Sequence, residues 1–397
     1  MKTPTPRRLS KCVSRCLRLK TYLNSPGDGR LRPRIPARAL LWALLLGQLL
    51  RQPSFAAIEA LVRSTARSAL DVSRRFGDDS LGYFTERLDP DQTRRAAATA
   101  VRQAKRNKAF DNCRFIGMAL DGTGAGHSRE QLCSLCRPFR NQEKQVIGYG
   151  HQFVMISIVG TGLSLPFDVE PYGPGDSEYA AGQRLVRRAV ANLGARFADY
   201  VVADSKFATA PFLHTAGDMG LYVVARLKDN LPELLAAVEK RFGSEPPHQV
   251  FDKDGDRIEI WDADDFDPWD TLRWQTVRVV RYRQHKPNGN LITADWITDF
   301  PRRLVGSREL FAIAKNRWEI ENQGFNDAKN RHDLEHICHH ESNSLLVGWL
   351  ITALALTIER LYRLRYLHRG THAVCTAIEL CRLLWLSLSR KPVPDTS

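Results

Sequence analysis

"FIGMALDG", residues 115–122, decides how the rest of the chain is read. Its apolar run is long enough for a strand covered on both faces and too short for a buried helix, and it stops at Asp121, followed by Gly122. "YVVADS", 200–205, repeats the pattern and also stops at an acid, Asp204. Between them, "QFVMISIVG" (152–160) and "LSLPFDVE" (163–170) predict a second and a third strand. "PGDSEYAAGQRLVRRAVANLGARF" (174–197) predicts a helix with Asp176 or Ser177 as its N-cap and Gly194 near its end. "LYVVARL" (221–227) adds a fifth strand. Short apolar runs alternating with an amphipathic helix predict an α/β sheet.

Composition bounds what surrounds that sheet. At 397 residues and 43% apolar, the chain can bury a sizeable core. Residues 1–110 hold 23 Lys+Arg against 8 Asp+Glu, a balance of +15, so the other 287 residues sum to about −1. That asymmetry predicts a polyanionic partner, nucleic acid rather than an anionic membrane. The longest apolar runs, 39–50 and 345–357, fall short of the roughly 20 residues a membrane span needs, and a basic lead precedes the first. Eight cysteines in such a chain make no disulfide framework. The expected compartment is the cytoplasm, on the nucleoid.

The composition divides the chain into five stretches. Residues 1–35, rich in Pro, Gly and Arg, read as a flexible basic arm, and 36–108 as a small helical domain for DNA binding or dimerisation. A sheet core begins at 109–230, a β-rich insertion fills 231–305, and helices complete the core over 306–390.

The last of these carries an odd charge. On a helical wheel with Arg317 at 0°, Phe311, Ala314, Trp318, Phe325 and Ala328 span about 20–120°, and Glu321 falls inside that apolar arc at about 40°. An ordinary i, i+4 pair with Arg317 would account for it. The other account is a divalent cation shared with carboxylates elsewhere. Asp121 and Asp204, each also readable as a turn residue, could converge with Glu321 on Mg²⁺ or Mn²⁺, a pair of ions being expected.

At "ALDGTG" (119–124), "VVADSKFATAPFL" (201–213), "ARLK" (225–228) and "RWEIENQGFNDAKNRHDLEH" (317–336), the sequence resembles bacterial insertion-sequence transposases with an RNase H-like core and an Asp-Asp-Glu triad. "EPYGPGDSEYAA" (170–181) adds to the likeness, which spans roughly residues 36–365. The resemblance implies an RNase H-like mixed sheet flanked by helices, with Asp121, Asp204 and Glu321 as catalytic metal ligands. It implies cleavage at the ends of a mobile element, transfer of the freed 3′-hydroxyl into target DNA, terminal inverted repeats as the bound DNA, and a homodimer in the synaptic complex. Of the family's Tyr-x2-Arg-x3-Glu-x6-Lys signature, Arg317 and Glu321 match; the Tyr position holds Ala314, and Lys329 stands one residue late. Arg317, Lys329 and Lys228 are the implied DNA contacts. The alternatives are another metal-dependent nuclease of the same fold and a catalytically silent DNA-binding descendant.

Two further patterns bear on ligands. "LRWQTVRVVRYRQHKPNGNLITADWITDF" (272–300) reads as a hairpin turning at Asn288-Gly289. Its Arg273, Arg278, Arg281 and Arg283, interleaved with Trp274 and Tyr282, could track a DNA backbone, or could simply be solvated strand faces. "DADDFDPWD" (262–270) reads as an acidic loop, with Asp264 or Asp265 as the fallback ligand should Glu321 fail. Cys133 and Cys136 have knuckle spacing for a structural Zn²⁺ with His127 and His151 as completing ligands, against a reading as ordinary thiols. "HICHHE" (336–341) is expected to finish a helix and pack beneath the final helices rather than bind metal.

Overall fold

In a computed structural model describing residues 4–364 and 376–389, six α-helices precede the first strand: α1 (Pro6–Arg15), α2 (Lys20–Asn24), α3 (Ala37–Leu49), α4 (Phe55–Arg63), α5 (Asp78–Arg87) and α6 (Pro90–Arg106). Residues 6–15 and 20–24 are therefore helical and packed, not a free arm. The reason is spacing hidden under charge: Leu9, Cys12 and Val13 stand at i, i+3, i+4, and with Leu17, Leu19 and Leu23 they are buried while the basic residues between them face out. Thr5 caps α1 by accepting from the Arg8 amide at 3.3 Å, and Tyr22 shares a 2.8 Å hydrogen bond with Thr93 of α6.

The chain then alternates: β1 (Gly117–Ser128), β2 (Arg137–Arg140), β3 (Val146–Val159), β4 (Leu165–Pro171), α7 (Glu178–Leu193), β5 (Tyr200–Ala203), α8 (Ala210–Asp218) and β6 (Tyr222–Leu227). Ser177 caps α7, accepting from Ala180 N at 3.3 Å, and Gly194 ends it at φ +96°. A second group follows: α9 (Pro232–Ser244), β7 (Gln249–Lys253), β8 (Asp256–Phe266), β9 (Val277–His285) and β10 (Leu291–Thr298). The β9–β10 hairpin turns at Asn288-Gly289, with Gly289 at φ +82°.

The ten strands among the described residues form one mixed sheet, ordered β2-β3-β1-β5-β6-β10-β9-β8-β7, with β4 beside β2 along the free edge of β3. β1 runs antiparallel to β3 and parallel to β5, which runs parallel to β6. β10 joins β6 directly, so the segment between Asp204 and Glu321 widens this sheet rather than building another. Residues 262–266 are accordingly strand, not loop, and Asp262 is buried against Arg278 at 2.6 Å.

Each face of the sheet carries a core. One, containing Met118, Leu120, Val201 and Ala203, packs on α7, α8 and the N-terminal helices. The other, containing Ala119, Met155, Tyr200, Val202 and Val224, is covered by α10 (Ser307–Lys315), α11 (Arg317–Glu319), a π-helical turn (Ile320–Phe325) and α12 (Asn326–His332). α13 (Ser342–Tyr362) contributes to both, while α14 (Ala377–Ser389) adds Leu380 and Leu384 to the first. By length and apolarity α13 could cross a membrane, but 89% of its apolar window is buried in this fold. A charged joint fastens α6 to the sheet: buried Asp168 accepts from Arg94 Nε at 3.0 Å and from Arg188 Nε of α7 at 2.7 Å.

Candidate active site

Strand register brings the two aspartates together. Gly117, Met118 and Ala119 pair in parallel with Tyr200, Val201 and Val202, and carrying that register onward sets Asp121 level with Asp204. Parallel neighbours lie about 4.8 Å apart. Alternation from Ala119 and Val202 turns both acids toward the face covered by the π-turn. Asp121 does not end its strand, as the sequence suggested: β1 continues to Ser128 because β3 keeps pairing with it, from Asp121↔Met155 to Ala125↔His151. It is β5 that ends there, at Ala203, leaving Asp121 beside an open strand terminus. Asp204 accepts from the Lys206 amide at 2.9 Å, turning the chain away.

Glu321 reaches the same place from above. Arg317 Nη1 donates to Glu321 at 2.6 Å and lies 3.4 Å from Asp121 Oδ2, so one guanidinium joins two of the three acids. The Glu321 side chain is 43% exposed rather than sunk in the core stripe. The inward carboxylate is Glu319, which accepts from Gly160 N at 3.1 Å and whose pKa burial raises. A π-turn adds a residue to the turn, so an ideal wheel loses phase here.

A fourth acid, which the sequence reading missed, stands beside Asp204 from the α7 face of the sheet. Glu178, in the first turn of α7, accepts from Lys206 Nζ at 2.9 Å and from the Tyr172 hydroxyl at 3.3 Å. It lies against β1 so closely that a Cβ at Gly122 would sit 2.3 Å from Glu178 Oε1, so a larger residue there would displace that carboxylate. An acid at a helix N-terminus ordinarily signals only the helix dipole. The glycine directly after the strand acid was the available clue.

The electrostatics are those of crowded carboxylates. Burial first, then Asp204, pushes the Asp121 carboxyl up to about 7, with Arg317 opposing. Burial and Glu178 likewise raise Asp204. The Lys206 ammonium is held charged by Glu178, and burial and Glu178 raise the Tyr172 phenol. Four carboxylates, Asp121, Asp204, Glu321 and Glu178, meet two cations, Arg317 and Lys206. The carboxylate oxygens are of the donor type that a hard divalent ion such as Mg²⁺ or Mn²⁺ takes, although no three of the carboxylates bring oxygens within 4.8 Å of one another in this structure.

Other expected residues lie elsewhere. Arg281 cannot reach DNA: it is 1% exposed, and its guanidinium bonds Asp295 at 2.7 Å and Glu239 at 2.6 Å. Arg278 is buried on Asp262, Tyr282 is wholly buried edge-on to Phe311, and Arg283 lies over Trp261. β9 has core on both faces, so Arg278 and Arg281 are interior counter-ions, while half-buried Arg283 covers an aromatic ring. Arg273 and Lys228 are exposed, and Lys329 pairs with Glu335 at 2.8 Å. The fallback acids are engaged, Asp265 by Arg241 at 2.5 Å and Asp264 by Arg302 at 3.7 Å. Cys133, Cys136 and His151 converge, whereas His127 stacks on Phe139 outside that group. "HICHHE" is a non-helical strap after α12, with the His340 ring 5.7 Å from His151.

Comparison with known proteins bears on this geometry. The family model described as "Transposase DDE domain" matches residues 114–358. No curated protein sequence matches the chain. Among solved structures, a cryo-EM piggyBac transposase synaptic complex with hairpin DNA aligns at a TM-score of 0.48 and 14% identity, covering 97% of this chain and 80% of that one.

Proposed function

The chain belongs to the transposase DDE domain family, and from that premise we propose that it cuts DNA at the ends of a mobile element and joins the freed 3′-hydroxyl to target DNA. Asp121, Asp204 and Glu321 are the metal-holding triad of this reading. The observation that carries it is the parallel register that sets Asp121 abreast of Asp204, with Arg317 linking Asp121 to Glu321. Two divalent ions held there would stabilise the charge that develops on the entering and leaving oxygens of an in-line phosphoryl displacement.

The chain's own groups do the rest. Arg317 offers a planar fork of donors to a phosphate entering beside the acids. Glu178 fixes Lys206 at the rim, where its ammonium meets the DNA backbone. Lys228 and Lys329 extend that contact. Distal DNA lies on the N-terminal helices, where Arg18, Arg102 and Arg106 line a concavity with Thr99 and Gln103. Such contacts make binding salt-sensitive and sequence-tolerant, so sequence choice at the terminal repeats requires further base contacts.

The test is Asp204→Asn, assayed on DNA carrying the element's ends with Mg²⁺ or Mn²⁺. Cleavage and strand transfer should both fall below detection, with DNA affinity within about twofold of the parent. Retained cleavage would remove Asp204 from the reaction; parallel loss of binding and cleavage would assign it to folding instead.

A further inference from the structure

The segment between β1 and β2 makes a knuckle whose chemistry the acidic site does not use. Cys136 N donates to Cys133 O at 3.2 Å, folding the pair so that both thiols face β3. There they meet His151: Cys133 Sγ and Cys136 Sγ are 3.6 Å apart, and His151 Nε2 lies 3.2 Å from the first and 3.4 Å from the second. Zn–S bonds of about 2.3 Å and Zn–N bonds of about 2.05 Å at tetrahedral angles require edges of about 3.8 Å for S···S and about 3.6 Å for S···N. Each edge falls short by only about 0.2–0.4 Å. Ordinary reduced cysteines have no reason to form such a triangle.

The surroundings make the site closed. Cys136 is 1% exposed and His151 2%, with Trp349 of α13 edge-on to the imidazole at 6.0 Å. His340 lies nearby, its ring centre 5.7 Å from that of His151 and its Nδ1 buried without a hydrogen-bond partner. Two imidazoles on one tetrahedral ion have ring centres about 5.2 Å apart, so His340 is the imidazole beside the group that a shift of its strap would bring in, the three ligand atoms already within 4.8 Å of one another being those of Cys133, Cys136 and His151. The strap carrying His340 is already tied down on either side. Ile337 packs where any Cβ at Gly126 would stand, 2.7 Å from its Cγ1, and Ser342 Oγ is 3.0 Å from Ser134 Oγ in the knuckle.

We propose that Cys133, Cys136, His151 and His340 bind one structural Zn²⁺, which staples the strap between α12 and α13 to β3 and the knuckle. Soft thiolates with imidazole select zinc over Mg²⁺, and four protein ligands leave no open position for chemistry. The site is independent of the acidic cluster. Its role is mechanical, because the strap joins the helix bearing Glu321 to the helix buried through both cores.

The test is metal analysis of the full chain, expressed with zinc and purified under reducing conditions. About one zinc per chain is expected, falling below about a tenth in Cys133→Ser and Cys136→Ser. Asp121→Asn should keep its zinc, which separates this centre from the Mg²⁺ site. Cobalt substitution should give the visible bands of a tetrahedral thiolate site, shifted by His340→Ala with at least about tenfold weaker binding. Because the cysteine variants could fail to fold, the parent is also stripped with a chelator; its melting temperature should fall and recover on adding zinc alone. Zinc-free parent protein with both thiols titratable would overturn the centre, as would a Cys133–Cys136 disulfide surviving reductant. An unchanged cobalt spectrum in His340→Ala would overturn the fourth ligand.

Discussion

Replacing Asp121 by asparagine should stabilise the metal-free protein at alkaline pH while abolishing cleavage. Burial and the neighbouring Asp204 lift this carboxyl from 3.8 to about 7. Between those values the folded chain keeps a proton that the unfolded chain has released. Stability from the proton is therefore full below the unfolded value and is lost as pH rises through the folded one. At 1.36 kcal/mol per pH unit, the ionised side chain costs at most about 4 kcal/mol at pH 8 but only about 1.6 kcal/mol at pH 5. Asparagine keeps the size of the side chain and the oxygen that accepts from Gly122 N at 2.8 Å, and it does not ionise. Unfolding entropy of about 2.1 cal/mol/K per residue gives about 0.8 kcal/mol/K for 397 residues. In EDTA, calorimetry should thus find the variant's lead over the parent growing by about 3 °C from pH 5 to pH 8. Added Mg²⁺ should raise the parent alone and narrow the gap. A variant no more stable than the parent at pH 8, or a lead indifferent to pH, would refute the crowding of carboxylates on which the site rests.

Gly122→Ala places a methyl where Glu178 stands and should cost about 1–3 kcal/mol, with cleavage lowered at least about tenfold in protein that still melts cooperatively; parent-like cleavage would remove Glu178 from the site. Arg281→Met should lower stability in urea by about 3–5 kcal/mol, because Asp295 stays buried without its cation, and leave the DNA affinity of the folded protein unchanged in filter binding. Joint alanine substitution at Arg18, Arg102 and Arg106 should flatten the slope of log K against log salt by about 0.9 for each DNA phosphate that these side chains neutralise, read by fluorescence anisotropy. An unchanged slope would move the DNA path off the N-terminal helices.

The central sheet was legible because short apolar runs report buried strands, and β3, β4, α7, β5 and β6 fell on the segments that predicted them, although an acid marked the strand's end only in β5 and not in β1. What misled was charge counted without its partners. Arg278 and Arg281 stand three residues apart and so point to opposite faces of β9, yet both faces are interior, and the carboxylates that neutralise them come from β8, β10 and α9. No pattern within β9 announces partners held on other elements. The same error made residues 6–24 look like part of a mobile arm, where the density of basic residues hid a helical apolar stripe. Among the zinc candidates, spacing found the cysteine pair and took both His127 and His151 to complete it, whereas only His151 joins the pair. His127 and His151 lie on paired strands, and only the bulge between Ala125 and Ser128 in β1 decides which ring faces the knuckle.

The placement of Glu321 is the deepest of these cases, because it is not decided within its own helix. A π-turn leaves main-chain groups without their α-helical partners and survives only where something else engages them. Here that is Arg360 of α13, 2% exposed, whose guanidinium donates to the carbonyls of Gln323 and Ser164 and pairs with Asp327 at 3.0 Å. Gln323 in turn accepts from Ser164 N at 3.1 Å, and Glu319 from Gly160 N, so the loop between β3 and β4 grips the turn from the other side. A residue nearly forty positions later therefore sets the phase at which Glu321 leaves the helix. The two aspartates need only a strand register; the glutamate needs the assembled core.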